Sequence, residues 1–169
     1  MKRFAGVVVL RETAVLLVNE PDYFTEEPRW TFPSGYMEEG EEPATAAARE
    51  LAEESGCIID PTQLELIAIS DVEQDGEIVN RSWNYTATTT DAALAPRIQD
   101  DETVTEARWF DPAEAVRLLG RSTYAPKVEP VARFLTSGER NLHWTFDLID
   151  SSAPTPAFRW DPPEPTLPE

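Results

Sequence analysis

Residues 35–57 decide the fold, and they read Gly-Tyr-Met-Glu-Glu-Gly-Glu-Glu-Pro-Ala-Thr-Ala-Ala-Ala-Arg-Glu-Leu-Ala-Glu-Glu-Ser-Gly-Cys. From Pro43 to Ser55 the stretch is rich in strong helix formers, and it begins with a proline, which suits a first helical turn. Gly56 follows, and glycine is the residue that most often ends a helix. The spacing therefore predicts a helix over 43–55.

Three carboxylates crowd one side of this predicted helix. At about 100° per residue, an apolar stripe (Ala44, Ala47, Ala48 and Leu51) lies beside an arc that carries Glu50, Glu53 and Glu54. Like charges at these spacings destabilise a helix unless something neutralises them, and a bound divalent cation would do so. From the residues alone, a solvated acidic face competes with a cation site.

The composition restricts which metal and which substrate the chain can bind. Cys57 and His143 are the only cysteine and histidine, so an intrachain disulfide is excluded and no thiolate or imidazole zinc site is expected. Oxygen ligation suits Mg²⁺, with Mn²⁺ as a substitute. A formal net charge of −18 argues against a nucleic acid polymer as partner, whereas a small phosphorylated substrate remains compatible with bound cations.

Alternating and continuous apolar runs predict a sheet around this helix. Strands are expected over 4–10, 14–18, 30–32, 64–72, 78–90, 104–110 and 142–149, and residues 19–29 are expected to form a surface loop. Two more helices are expected over 112–119 and 126–136, the latter only if Pro130 falls in its first turn. Hairpins mixed with helices indicate an α+β domain with a mixed sheet.

The length of 169 residues favours one main domain, which we place at 1–149, followed by a proline-rich acidic tail at 150–169. The tail composition favours an extended or disordered segment, with docking through Phe158 and Trp160 as the alternative. No run reaches the length of a membrane-spanning helix and no signal peptide is recognisable, so we expect a cytoplasmic protein without a membrane partner.

The pattern Gly35-x5-Glu41-x7-Arg49-Glu50-Leu51-x-Glu53-Glu54-x-Gly56 resembles the Nudix box. The resemblance covers most of residues 3–136 and implies an α/β/α sandwich with a central mixed sheet. It also implies a hydrolase that cleaves a nucleoside diphosphate linked to another moiety, with Mg²⁺ or Mn²⁺ polarising the phosphate and positioning a water. No subfamily is identified. The residues Glu73-Gln74-Asp75, which lie sixteen to eighteen positions past the box, include neither the proline associated with ADP-ribose hydrolases nor the tyrosine associated with dinucleoside polyphosphate hydrolases.

The resemblance also implies roles for the residues of the box. Glu53 and Glu54 would be the principal metal ligands, and Glu50 either a third ligand or the base. Arg49 would orient these acids, although a purely structural pair between Arg49 and Glu53 is the competing interpretation. Glu41 would pair with Arg49, while Gly35 and Gly56 would have structural roles.

Two positions depart from the usual pattern. Ser34 stands where many members have glycine, and its backbone carbonyl is expected to be a further metal ligand. Cys57 occupies the closing aliphatic position, where a small apolar thiol can pack.

Other side chains are weaker candidates for the site. Asp101, Glu102 or Glu106 would supply a base or ligand from beyond the box, unless they belong to a solvated loop. The rings of Trp30, Phe32 and Tyr36 are candidates for stacking on a substrate base, as are those of Trp83 and Tyr85, although aromatic residues in strands more often belong to a core.

We therefore predict a Nudix pyrophosphohydrolase that acts on a small nucleotide or nucleotide derivative. The alternative is a Nudix domain that senses a nucleotide without cleaving it. A homodimer is the oligomeric state that we expect.

Overall fold

A mixed sheet with helices on both faces forms the centre of the protein, as the sequence predicts. The computed structural model describes residues 1–90, 103–152 and 154–166. Its helices are α1 (Pro43–Ser55), α2 (Pro112–Leu119) and α3 (Ala125–Ser137). Its strands are β1 (Lys2–Arg11), β2 (Ala14–Pro21), β3 (Pro28–Thr31), β4 (Ser34–Tyr36), β5 (Glu65–Gln74), β6 (Glu77–Thr88), β7 (Glu106–Phe110), β8 (Leu142–Asp150), β9 (Ala157–Trp160) and β10 (Glu164–Pro165).

The main path of the sheet runs β10-β8-β5-β6-β1-β2-β3. β1 pairs with β6 in parallel, and so does β5 with β8, whereas the other described pairs are antiparallel. β1 forks: its first half pairs with β4 and its end pairs with β2. This fork opens the sheet where the acidic helix approaches it.

Two apolar cores lie on opposite faces of the sheet because successive side chains of a strand point to opposite sides. Val7 and Val9 of β1 pack with Ala47 and Leu51 of α1. Val8, between them, belongs to the other core, which contains residues of α2 and α3. The alternation places α1 alone on one face and the other two helices on the other.

The ends of α1 lie where the sequence predicts them. Pro43 occupies the first turn, and Gly56 adopts a left-handed conformation with φ of 73° while its N–H donates to the carbonyl of Ala52. α2 likewise begins after Asp111, whose side chain accepts the N–H of Ala113 at 2.9 Å. Local signals thus determine these helix ends.

The region 19–29 is more ordered than predicted. β2 continues to Pro21 and β3 begins at Pro28, so the connecting loop is short and the expected surface loop is only partly correct. Asp22 organises that loop, since its carboxylate accepts the N–H groups of Phe24 and Thr25. A strand was also missed at Ser34–Tyr36, which is too short to show a periodic pattern.

Pro130 lies in the second turn of α3 and not in the first, where the sequence argument required it. The helix nevertheless continues to Ser137. Pro130 is buried, as are Val131 and Phe134, which belong to the core. Packing of this face therefore compensates the hydrogen bond that proline cannot donate.

The C-terminal segment lies along the edge of the sheet. β9 and β10 both pair antiparallel with β8. The ring of Phe158 packs on the α2–α3 side of the sheet. Of the two alternatives for the tail, docking is the one that residues 157–166 adopt. Within the described residues, no helix is both long and apolar enough to cross a membrane.

Candidate active site

The loop between β3 and α1 meets the acidic helix through β4. Pairing of β4 with β1 aligns Ser34 with Gly6 and Gly35 with Ala5, which holds this loop against α1. A Cβ atom at Gly35 would lie well under 3.0 Å from the carboxylate of Glu50. Only glycine at this position lets the Glu50 carboxylate approach the backbone so closely.

Glu54 is a buried acid at the centre of the site. It is only 5% exposed, and its Oε2 accepts the N–H of Ser34 at 3.1 Å. Burial raises the pKa of Glu54 well above its ordinary value, and the nearby charges of Glu20 and Glu50 add to this rise, while Lys127 opposes it. A buried carboxylate whose pKa is raised by burial and by neighbouring acids has a strong electrostatic preference for a cation.

Arg49 holds two of the acids of the box. Its Nη1 donates to Glu50 Oε1 at 2.7 Å and to Glu53 Oε2 at 3.1 Å. Its Nη2 donates to the carbonyl of Tyr36 at 2.9 Å, which ties the guanidinium to the loop. Arg49 thus lies where it can orient Glu50 and Glu53 relative to the backbone.

A bidentate ion pair joins Arg49 to Glu41. Nε and Nη2 of Arg49 donate to the two carboxylate oxygens of Glu41, both at 3.0 Å. Hydrogen bonding to Arg49 lowers the pKa of Glu41, and the bonds with Glu41 and then Glu50 raise that of Arg49. Glu41 also accepts the N–H of Glu38 at 2.9 Å, so the pair closes the loop that precedes α1.

α1 does not separate an apolar face from an acidic one as the sequence argument supposes. Glu50 and Glu54 lie on the buried side with Leu51, whereas the side chain of Glu53 is 29% exposed. The reason is that loop 33–36 covers this side of the helix. The carboxylates of Glu50 and Glu54 therefore lie against the backbone of the loop and are shielded from solvent.

Glu20 and Lys127 are residues of the site that sequence reasoning missed. Glu20 lies one residue before the end of β2, close enough to Glu54 to affect its pKa, and Lys127 Nζ of α3 lies 3.3 Å from Glu20 Oε1. Arg29 Nη2 lies 3.6 Å from the same oxygen. Glu20 falls in the segment that the sequence predicts as a loop, so nothing marked it as a site residue. Lys127 could have been noticed, because it is one of only two lysines in the chain.

Glu106, the candidate from beyond the box that the structure describes, is not brought to these acids. Glu106 pairs with Arg108, and both lie on the opposite face of β7 from Ala107 and Trp109, which pack toward α1. Alternation along the strand explains why Glu106 points away from α1. Asp101 and Glu102 lie outside the described residues.

The three aromatic candidates have different surroundings. Phe32 is 1% exposed and belongs to the core, so this placement does not support the predicted stacking role. Tyr36 is 54% exposed and packs against Phe4. Trp30 lies edge-on to Phe110 and lines a cavity of about 240 Å³.

The donor set suits a hard divalent cation, because it is made of carboxylates and backbone carbonyls. In the described part of the chain, no three His, Cys, Asp or Glu side chains are gathered closely enough to form a metal cluster as they stand. Arg49 and Ser34 hold Glu50, Glu53 and Glu54 in their present positions. The raised pKa of buried Glu54 is nevertheless the property that a cation would relieve.

The sequence of the chain matches a known family over this fold and this site. A sequence model of the NUDIX domain covers residues 2–131, which is well over half of the chain. The chain belongs to the Nudix family. The acids, the arginine and the close approach at Gly35 therefore lie in its Nudix box.

Two curated proteins are similar in sequence to part of this chain. The diphosphoinositol polyphosphate phosphohydrolase 3-alpha of Homo sapiens is 34% identical over 110 residues, which are 64% of this chain and 62% of that protein. The RNA pyrophosphohydrolase of Dinoroseobacter shibae is 36% identical over 78 residues, which are 45% of this chain and 49% of that protein. The chain thus spans less than two thirds of either relative.

A solved structure supports the fold. The crystal structure of a NUDIX hydrolase from Nitrosomonas europaea superimposes with a TM-score of 0.69 at 23% identity, over 86% of this chain and 78% of that one. At this level of identity the likeness concerns the sandwich and not the chemistry.

Proposed function

We propose that this Nudix chain is a divalent-metal-dependent hydrolase that cleaves a phosphoanhydride bond in a small nucleotide-like substrate. The observation that carries the proposal is the buried acid Glu54, whose pKa is raised by burial and by Glu20 and Glu50 beside it. Buried clustered acids cost stability unless a cation or a proton neutralises them, and strongly perturbed acids of this kind are candidates for a functional site.

The substrate class follows from two lines of support. The names of both relatives specify a diphosphate or pyrophosphate group, which is the bond type that the proposal requires. The net charge of −18 favours a small substrate over a polymer, because a long polyanion would be repelled along its whole length.

Glu53 and Glu54 are the side chains that would hold the cation, with the carbonyl of Ser34 as a further oxygen donor and with Glu50 as a third ligand in the case that it is not the base. When bound, Mg²⁺ or Mn²⁺ supplies charge neutralisation at the phosphate oxygens and acidifies a water molecule. The present bonds from Arg49 and from the N–H of Ser34 hold these carboxylates close to the loop.

Glu50 is our candidate for the base that accepts the proton of the attacking water. Its carboxylate lies against Gly35, and Arg49 Nη1 orients it at 2.7 Å. A carboxylate held in this way retains one oxygen in a defined direction, which general base catalysis requires. Arg49 and Glu41 would then act by positioning and not by proton transfer.

Lys127 provides positive charge beside Glu20 and Glu54. It is partly buried and pairs with Glu20, and its ammonium lies 5.4 Å from the ring centroid of Phe32. An ammonium group with three donors can transfer a hydrogen bond from Glu20 to a phosphate oxygen without leaving the site.

The test is phosphate and nucleoside monophosphate release from a panel of nucleoside triphosphates, nucleotide sugars, ADP-ribose and dinucleoside polyphosphates. The panel is run with Mg²⁺, with Mn²⁺ and with chelator. We expect metal-dependent turnover of one class. We also expect Glu53→Gln to lower the rate by at least about two orders of magnitude and to weaken Mn²⁺ binding measured by calorimetry.

Glu39→Gln is the matched control, because Glu39 is an exposed acid of the same motif outside the proposed metal site. It should keep both turnover and Mn²⁺ affinity. Turnover that survives Glu53→Gln unchanged would refute the site assignment. Metal and nucleotide binding without turnover of any substrate would instead support the sensing alternative.

A further inference from the structure

The C-terminal segment 157–166 packs near the start of α3, the helix that carries Lys127. β9 pairs with β8 from Phe146 to Asp150, outside the residues 2–131 that match the family. Phe158 is its inward residue, packed against the core, whereas Trp160 is 40% exposed. The segment therefore makes a contact that lies outside the residues of the family match.

A row of aromatic rings runs from this segment to the loop at 22–27. The ring of Phe158 lies edge-on to Tyr124, with centroids 5.2 Å apart, and Tyr124 stacks on Phe24 at 5.8 Å. The hydroxyl of Tyr124 accepts a hydrogen bond from Asn80 at 3.1 Å. Tyr124 is thus held between the C-terminal segment, β6 and the loop.

The backbone of Tyr124 connects these rings to the charged groups of the site. Its carbonyl accepts the N–H of Lys127 at 3.1 Å in the first turn of α3. Its own N–H donates to Ser122 Oγ at 3.2 Å, and the same oxygen accepts from Arg29 Nη1 at 2.7 Å. Lys127 and Arg29 are the two cations beside Glu20.

We propose that Phe158 is a positioning residue of the active site, through which the C-terminal segment orders loop 22–27 and the start of α3. By holding Tyr124, Phe158 keeps Lys127 and Arg29 directed at Glu20. Aromatic pairs of this geometry are worth about 1 kcal/mol, which corresponds to about a fivefold change in an equilibrium. The kinetic part of this inference rests on the proposed function, whereas the structural part does not.

The experiment uses the full chain with Phe158→Ala and, as matched control, Trp160→Ala. The control removes the ring of Trp160, which belongs to the same strand. This ring packs against Phe146 and, among the described ring pairs, forms none with Tyr124. Amide hydrogen exchange is followed at 23–27 and 122–127, at a temperature where both variants are folded. We expect about fivefold faster exchange in both segments for Phe158→Ala only, and recovery in Phe158→Tyr.

With an identified substrate, Phe158→Ala should raise KM about fivefold and change kcat less than about twofold, because it loosens binding groups and not the acids of α1. Equal effects of Phe158→Ala and Trp160→Ala would overturn the proposal, since the segment would then act only through the stability of β8. Unchanged exchange in Phe158→Ala would also overturn it. The exchange measurement needs no turnover, so it decides this coupling even if the hydrolase activity fails.

Discussion

At Gly35, the lack of a side chain decides where the Glu50 carboxylate lies. A methyl group there would overlap the carboxylate and push it away from the loop. Glu50 would then also leave Arg49, whose Nη1 bond orients it. Replacing one hydrogen of Gly35 with a methyl group would therefore displace the carboxylate that we propose as the base.

Gly35→Ala should therefore lower kcat by about two orders of magnitude, because a shift of about 1 Å in a catalytic group has such effects. Steady-state kinetics measures the loss of activity, and a thermal melt measures any loss of stability separately. Gly120→Ala is the control, since a Cβ at Gly120 meets only ordinary contacts. Full activity in Gly35→Ala would show that Glu50 does not need this position.

Glu54 makes the stability of the protein depend on pH. Burial, and then Glu20 and Glu50, hold its pKa above the ordinary value in the folded state. The folded protein therefore binds this proton more tightly than the unfolded chain does. The free energy of unfolding should fall as the pH rises from the ordinary carboxyl pKa through the raised one.

In chelator, Glu54→Gln should melt at a higher temperature than the parent at about pH 8, and the difference should shrink toward about pH 4.5. Each kcal/mol corresponds to about 3 °C for a chain of this size. Added Mg²⁺ should raise the melting temperature of the parent but not that of the variant. The assigned pKa shift would be contradicted if the parent protein, in chelator, were more stable at about pH 8 than at about pH 4.5 and this difference were lost in Glu54→Gln.

At the scale of elements, the ends of the helices were predictable and their packing was not. α1 begins at Pro43 and ends before Gly56, because proline suits a first turn and glycine tolerates a left-handed end. The second-turn Pro130 of α3 was not predictable, since the buried face of that helix compensates for the lost hydrogen bond. Strand β4 was missed because three residues cannot show a period.

The three glycines that end the helices provide a test at this scale. Gly56 and Gly138 both have φ of 73°, whereas Gly120 has φ of −63°. Substitution by alanine should cost about 1 kcal/mol at the first two positions and little at Gly120. Denaturant unfolding measures this order. Equal losses at all three positions would mean that side-chain packing, and not the left-handed backbone, sets the cost.

At the scale of the whole molecule, charge limits what the protein can bind. The chain carries 32 acidic and 14 basic residues. Of the cations near the site, Arg49, Arg29 and Lys127 are all paired with acids. A long polyanion therefore meets no free positive surface in this part of the described structure.

We expect short single-stranded RNA with a 5′-triphosphate to bind no better than a free nucleoside triphosphate, even at low salt. Fluorescence anisotropy across a salt series measures this. Proteins that bind nucleic acid through lysine and arginine lose affinity steeply as salt rises. Tight RNA binding with such a slope would contradict the small-substrate proposal and would point to a relationship in function with the RNA pyrophosphohydrolase.

The sequence alone determined the Nudix box, the helix that carries it and the mixed sheet around it. These follow from local properties: helix propensity, the conformational limits of glycine and proline, and alternation along strands. The acids of the box were identified for the same reason, because their spacing along one helix brings them together.

Only the tertiary structure brought Glu20 and Lys127 to this helix and the C-terminal segment to the start of α3. Glu20 lies near the end of one strand, and Lys127 lies in the first turn of α3 on the other face of the sheet. Phe158 reaches the start of α3 through Tyr124. These residues are far apart in the chain, and no local propensity records such contacts. They depend on the order of strands in the sheet and on which face each helix covers, which are properties of the packed molecule.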